Sequence, residues 1–301
     1  MRPSRAEVAL GIDVGGTAIK AGRIRSDGTV EEERSFEWNG VDPGLDILAE
    51  LTRIADAMGA FQAVGLGVPG LLDTSRGVVL ASPNLPALAE VPLRDSLARH
   101  TELAPSRVVV ENDANAAACG EAWLGAAAGE RDTMLLTLGT GIGGGIILDG
   151  ELFQGAGMAG EIGHVCIDPN GPRCGCGSRG CLETLASARA AAARAEALGL
   201  GSDLQELSER ARAGAEAEAA LLRAVGTDLG RGLAVVITLL DLRHFVIGGG
   251  FSAAFDCLEG GIRDGVRERC YGERVEQVRL SRAQLGNRAG WIGAAYRALS
   301  A

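Results

Sequence analysis

Apolar residues fall into short runs that end in glycine or an acid, and these runs alternate with longer stretches of helical spacing. Val8 through Asp13 is such a run, followed by Val14-Gly15-Gly16-Thr17 and a second apolar stretch over 18–24. Strand, glycine turn and strand is the expected order. Asp27-Gly28 signals a hairpin, with a third strand over about 29–36. Leu45, Leu48, Ala49, Leu51, Ile54, Ala55 and Met58 recur at helical spacing over 42–59, and Gly59 is a natural stop. A buried strand over 63–68 leads into Pro69-Gly70. Another strand is expected over 107–111, after which Asn112 or Asp113 would cap an alanine-rich helix ending near Gly125. Strands over 133–138 and 146–148 flank a glycine-dense turn, and Asp149-Gly150 marks a hairpin. Helices over 183–198, 203–213 and 215–240 come next, then a strand over 244–247. A helix over about 252–270, a strand near 277–280 and a terminal helix over about 288–299 complete the pattern.

An apolar strand followed by glycines with a hydroxyl or an acid recurs at 13–17, 139–145 and 248–250. Two related α/β halves with a cleft between them are the expected architecture, because ligands of such sheets gather at strand ends. The 301 residues are enough for two domains with proper cores, and the 47% hydrophobic content fits a globular chain. Net charge is −10, from 39 acidic and 29 basic residues, which disfavours nucleic-acid binding. Among the basic residues the one lysine is Lys20, beside the first glycine turn. No apolar run approaches the length of a membrane helix. The N-terminus lacks a signal-peptide pattern, and seven cysteines argue against a disulfide framework. A cytoplasmic protein without a membrane partner is expected.

The densest chemistry lies between His164 and Glu183. His164, Cys174, Cys176 and Cys181 follow the spacing H-x9-C-x-C-x4-C, with glycines at 175, 177 and 180 and carboxylates at Glu161 and Glu183. Imidazole and thiolate are ligands zinc prefers, and four of them close a structural site. Cys166 stands off this pattern; Cys119, Cys257 and Cys270 fall in helical patterns where cysteine acts as a small apolar residue. His100, His244 and Trp123 match no motif and are read as surface or packing residues.

The glycine turns suit phosphate. Their backbone N–H groups can approach phosphate oxygens, and threonine adds a hydroxyl. Gly15, Gly16 and Thr17 form one candidate perch, and Gly139, Thr140 and Gly141 the other. Asp13 could hold Mg2+ directly or through water. Gly248, Gly249 and Gly250 are read as nucleoside-side contacts. Neither turn matches the Walker pattern.

Four segments together resemble the ROK family of bacterial sugar kinases. They are Asp13-Val-Gly-Gly-Thr-Ala-Ile-Lys20, Glu111-Asn-Asp113-Ala-Asn-Ala, Leu138-Gly-Thr-Gly-Ile-Gly143, and Gly160-Glu-Ile-Gly-His164 through Cys181-Leu-Glu183. The likeness spans nearly the whole chain, in the family's order. It implies an α/β two-domain actin-like ATPase fold of ribonuclease-H-like type, ATP with Mg2+, structural Zn2+, and a sugar in the interdomain cleft. Residues 1–114 plus 286–301 would form a smaller domain, and 115–285 a larger one carrying the zinc loop. The resemblance makes Asp113 the catalytic base and assigns sugar hydroxyls to Asn84, Asn112, Asp113, Glu161, His164 and Glu183. Lys20 would approach phosphate. If zinc fixes one nitrogen of His164, the other can face a sugar hydroxyl.

An ATP-dependent hexose kinase acting on the 6-hydroxyl of glucose is the expectation, as a homodimer or homotetramer. One departure bears on the sugar. ROK glucokinases often carry Cys-Trp-Glu-Gln after the last metal cysteine, where this chain has Cys181-Leu-Glu-Thr184. Fructokinases and N-acetylhexosamine kinases of the family also use leucine there. ROK transcriptional regulators share this body but carry a helix-turn-helix segment ahead of the first glycine turn, which here begins after twelve residues. An actin- or chaperone-like ATPase is the third alternative, and the zinc loop argues against it.

Overall fold

The structure is a computed structural model that describes residues 7–38, 46–82 and 85–301. Asn84, a sugar contact implied by the resemblance, lies outside the described residues. The chain divides into two compact units: residues 1–130, 145–159 and 287–301 in the first, and residues 131–144 and 160–286 in the second.

The first unit opens with β1 (Val8–Val14), β2 (Ala18–Arg25) and β3 (Val30–Glu37), the antiparallel series expected from the two turns. Helix α1 (Ile47–Met58) follows, with Asp46 capping its first turn and a buried stripe of Ile47, Leu51, Ile54, Ala55 and Met58. Then come β4 (Ala63–Val68), the short pair β5 (Leu71–Asp73) and β6 (Val78–Ala81), helix α2 (Leu93–Thr101), β7 (Val108–Asn112) and α3 (Asp113–Leu124). The strand order is β3-β2-β1-β4-β7, with β1, β4 and β7 parallel. Parallel strands end on the same edge, so whatever follows β1 and β7 is delivered to one side.

The second unit is built on β8 (Thr133–Leu138), and β9 (Ile142–Leu148) leads out of it to β10 (Glu151–Phe153). The intervening Asp149 and Gly150 both take positive φ, 54° and 82°, as a type I′ hairpin requires. Helices α4 (Leu182–Ala186), α5 (Ala188–Ala197), α6 (Leu204–Arg212) and α7 (Glu216–Leu240) lead to β11 (His244–Gly248). After α8 (Phe255–Arg269), α9 (Gly272–Val275) and β12 (Arg279–Arg282), helix α10 (Ala289–Leu299) returns to the first unit. β11 runs parallel to both β8 and β12. No helix among the described residues is long and apolar enough to cross a membrane.

Three expectations change. The helix anticipated over 183–198 is two helices, because Ser187 leaves the helical conformation (φ −67°, ψ 163°) and its side chain caps α5 through the Ala190 N–H. Gly143, Gly144 and Gly145 belong to β9 rather than to a turn; a Cβ on Gly145 would stand 2.6 Å from that of Ala118. The division between units does not fall at residue 114. α3 stays with the first unit because α10 packs onto it backbone to backbone: a Cβ on Gly293 would be 1.6 Å from the Ala116 carbonyl, and one on Gly120 2.3 Å from that of Ala289.

Candidate active site

In the first unit the parallel register places Asp13 of β1 opposite Gly67 of β4, and Gly67 opposite Glu111 of β7. Asp113 is the next residue but one, the first of α3. A Cβ on Gly67 would lie 3.8 Å from Asp13 Oδ1 and 3.7 Å from Asp113 Cα. The two acids therefore face each other across a strand position left bare. Gly290 in the first turn of α10 touches the other side of Asp13, where a Cβ would be 2.6 Å from Cγ.

Asp113 does not cap α3. Asn112 does, its Oδ1 accepting from the Ala114 and Asn115 N–H groups at 2.9 and 3.1 Å. The Asn112 amide also donates to the Gly70 carbonyl, so this predicted sugar contact already carries structural bonds. Burial raises the pKa of Asp113, opposed by the Ala114 N–H. Burial and then the Asp113 charge raise Asp13 from 3.8 to about 7, with Lys20 pulling the other way. Lys20 stands opposite Asp13 on β2. Asp13 thus stands between Lys20 on one neighbouring strand and Asp113 on the far side of β4, an arrangement that favours a cation or a donated proton.

Glu111 is the acid that sequence reasoning passed over. It is 1% exposed. Its carboxylate accepts from the Asn112 N–H at 3.0 Å, Asn115 Nδ2 at 3.1 Å and Gln154 Nε2 at 3.0 Å, with Arg297 Nε 3.4 Å away. An acid closing the apolar run Val108-Val-Val is the signal that could have exposed it. These bonds fix the start of α3, and with it the position of Asp113.

Gly16 and Gly139, one in each expected phosphate turn, share a property. Neither has a positive φ, and a Cβ on either would meet nothing within 4 Å; Gly250 is the same. Neither packing nor backbone conformation requires glycine there. Gly248 and Gly249 differ, since Cβ atoms there would press on Ala283 and on the Leu138 backbone. Gly141 differs as well: a Cβ would stand 2.3 Å from Glu183 Oε2, which accepts the Ile142 N–H at 3.1 Å. Thr17 and Thr140 are exposed, and Gly15 is bonded through its N–H to the Ala18 carbonyl.

The second unit brings His164, Cys174, Cys176 and Cys181 together, their ligand atoms all within 4.8 Å of one another. Cys174 Sγ lies 3.7 Å from His164 Nδ1, and Cys176 Sγ 3.7 Å from Cys181 Sγ. Zn–S bonds of about 2.3 Å at tetrahedral angles set sulfurs about 3.8 Å apart, so the donors fit zinc in kind and spacing. Burial and the neighbouring thiols push Cys181 up to about 12, a strain that a cation among them relieves. Cys166 pairs with Cys181 through its backbone and stays out of the cluster. His164 Nε2 lies 3.9 Å from Glu161, on the side of the ring away from the sulfurs.

The model of the ROK family matches residues 9–301. The chain belongs to the ROK family. It is 35% identical to a glucokinase of Thermotoga maritima across 95% of each chain. It is 33% identical to an N-acetylmannosamine kinase of Haemophilus influenzae, covering 95% of this chain and 94% of that one. The crystal structure of a Streptomyces griseus ROK family glucokinase in complex with glucose and AMPPNP superposes with a TM-score of 0.81. Its identity is 36%, over 98% of this chain and all of that one. The α/β two-domain actin-like ATPase fold implied by the sequence motifs is thus the fold of this ROK protein.

Proposed function

We propose that this ROK protein is an ATP-dependent hexose kinase whose acceptor is the 6-hydroxyl of glucose. The observation that carries this reading is the delivery of Asp13 and Asp113 to one strand-end edge, across Gly67. Asp113 takes the hydroxyl proton as the sugar oxygen bonds to the γ-phosphorus and the β–γ bridging bond of ATP breaks. A carboxylate whose pKa burial has raised suits that task. Asp13 holds Mg2+, which offsets charge on the phosphates. Gly16, Thr17 and Lys20 are the candidates for phosphate oxygens at the first turn, and Gly139 and Thr140 those at the second. Gly250, bare of neighbours, meets the nucleoside.

His164, Cys174, Cys176 and Cys181 hold Zn2+, which orients the His164 ring and offers no open position for an activated water. His164 Nε2, Glu161 and Glu183 would then meet sugar hydroxyls. The glucokinase relatives support glucose. A second reading, an N-acetylhexosamine kinase, is favoured by Leu182 after the last cysteine and by the N-acetylmannosamine kinase relative. Coupled ADP release on a panel of sugars separates them. Glucose is expected to give the highest kcat/KM; an equal or higher value on fructose, N-acetylglucosamine or N-acetylmannosamine overturns it.

A further inference from the structure

The first glycine turn is held from behind by one side chain. Trp38 follows β3 and is 9% exposed, packed in the core of the first unit. Its indole Nε1–H donates to the Gly15 carbonyl at 2.7 Å, and its backbone N–H donates to the Thr17 carbonyl at 3.3 Å. The Gly15 N–H is engaged with the Ala18 carbonyl at 3.1 Å. These three bonds leave out the Gly16 and Thr17 N–H groups. A planar trans peptide sets its C=O and N–H in opposite directions. The carbonyl drawn toward the indole therefore turns the Gly16 N–H outward, at the residue around which a Cβ would find open space.

The second turn has the same device made differently. There the Ala188 N–H, at the start of α5, donates to the Gly139 carbonyl at 2.9 Å. Planarity then turns the Thr140 N–H the other way. A carbonyl tied back behind each turn is what an anion perch needs, because an untied one would present lone pairs to phosphate.

We infer that Trp38 is a positioning residue for the nucleotide, holding the Gly15–Gly16 peptide plane so that the Gly16 N–H is presented to a phosphate oxygen. This rests on the reading of 15–17 as a phosphate perch. Trp38→Phe keeps an aromatic ring in the core and removes the N–H together with part of the indole's buried volume. The test is steady-state kinetics with ATP and glucose varied separately, calorimetric binding of Mg-ADP, and thermal melting, on Trp38→Phe and on Thr17→Ala.

The expected result for Trp38→Phe is a rise of about five- to tenfold in KM for ATP and in Kd for Mg-ADP, the scale of one lost hydrogen bond. KM for glucose and kcat stay near those of the unchanged protein, while Tm falls by a few degrees from the lost buried volume. Unchanged ATP and ADP values in Trp38→Phe, with raised ones in Thr17→Ala, overturn the role of Trp38 and leave the perch standing. Unchanged values in both variants overturn the perch itself. A rise in the KM of glucose equal to that of ATP shows Trp38 to be a packing residue and overturns the inference.

Discussion

The strand-end edge of the first unit and the cysteine knuckle of the second hold their polar groups by different physical means. Asp13 and Asp113 are placed by the register of parallel strands and by helices packed on glycine backbone, contacts between residues up to 277 positions apart in the chain, as in Gly290 against Asp13. His164, Cys174, Cys176 and Cys181 are gathered from eighteen consecutive residues. Both regions are electrostatically incomplete alone: Asp13 is pushed to about 7 and Cys181 to about 12. They differ in what completes them. Oxygen donors at an edge suit an exchangeable hard cation that arrives with its nucleotide. Three thiols and an imidazole suit a soft-tolerant ion that would stay. Rigid scaffolding and metal bracing are thus alternative ways to hold repelling groups together.

The sharpest break would come at Asp113. Asp113→Asn preserves size and the first turn of α3, so Tm should hold while kcat falls about 10²–10⁴-fold. A variant that turns over like the unchanged protein would remove the base from the first region. Next is the metal. Dialysis against a strong chelator, or Cys181→Ser, should strip zinc, lower Tm and cost about 10–100-fold in glucose kcat/KM. Mg-ADP binding at the first turn should persist. If metal content, melting and kinetics are all indifferent to chelator, the knuckle is not braced by an ion.

A matched pair of glycine substitutions sharpens the contrast. Gly141→Ala must displace Glu183 from the Ile142 N–H, an overpacking of about 1–3 kcal/mol, and should melt several degrees lower. Gly16→Ala meets nothing, so its Tm should match the unchanged protein while KM for ATP rises. Equal melting shifts would erase the distinction between a packed and a ligand-facing glycine.

The smallest effect concerns pH. With Asp13 raised from 3.8 to about 7, the folded chain keeps a proton that the unfolded chain releases. That stability is present below about 4 and is lost as pH rises through about 7. Asp13→Asn should flatten this slope and melt a few degrees higher at pH 8 without nucleotide, yet be inactive. Melting curves at pH 5 and 8, with and without Mg-ADP, check it; a slope unchanged by the substitution would assign it to another group.

Legibility followed the range of the contacts. The convergence of His164, Cys174, Cys176 and Cys181 and the hairpin at Asp149-Gly150 are legible in the sequence because each is complete within a few residues. The strands β5 and β6 and helix α2, over 71–101, carried no pattern strong enough to read beforehand. Ser187 looked like part of one helix because its capping bond is invisible in apolar spacing. Glu111 and Trp38 escaped because their partners, Arg297, Gln154 and Gly15, lie 186, 43 and 23 positions away.

The order of residues alone declares an α/β build, a cluster of four candidate metal donors and glycine turns at strand ends, since hydrophobic period and donor spacing are local quantities. Only the folded arrangement decided that Asn112 caps α3, that α3 belongs with α10, and which glycines face open space rather than neighbouring backbone. Those outcomes depend on which surfaces meet across long stretches of chain, and burial, charge repulsion and close backbone approach exist only once they have met.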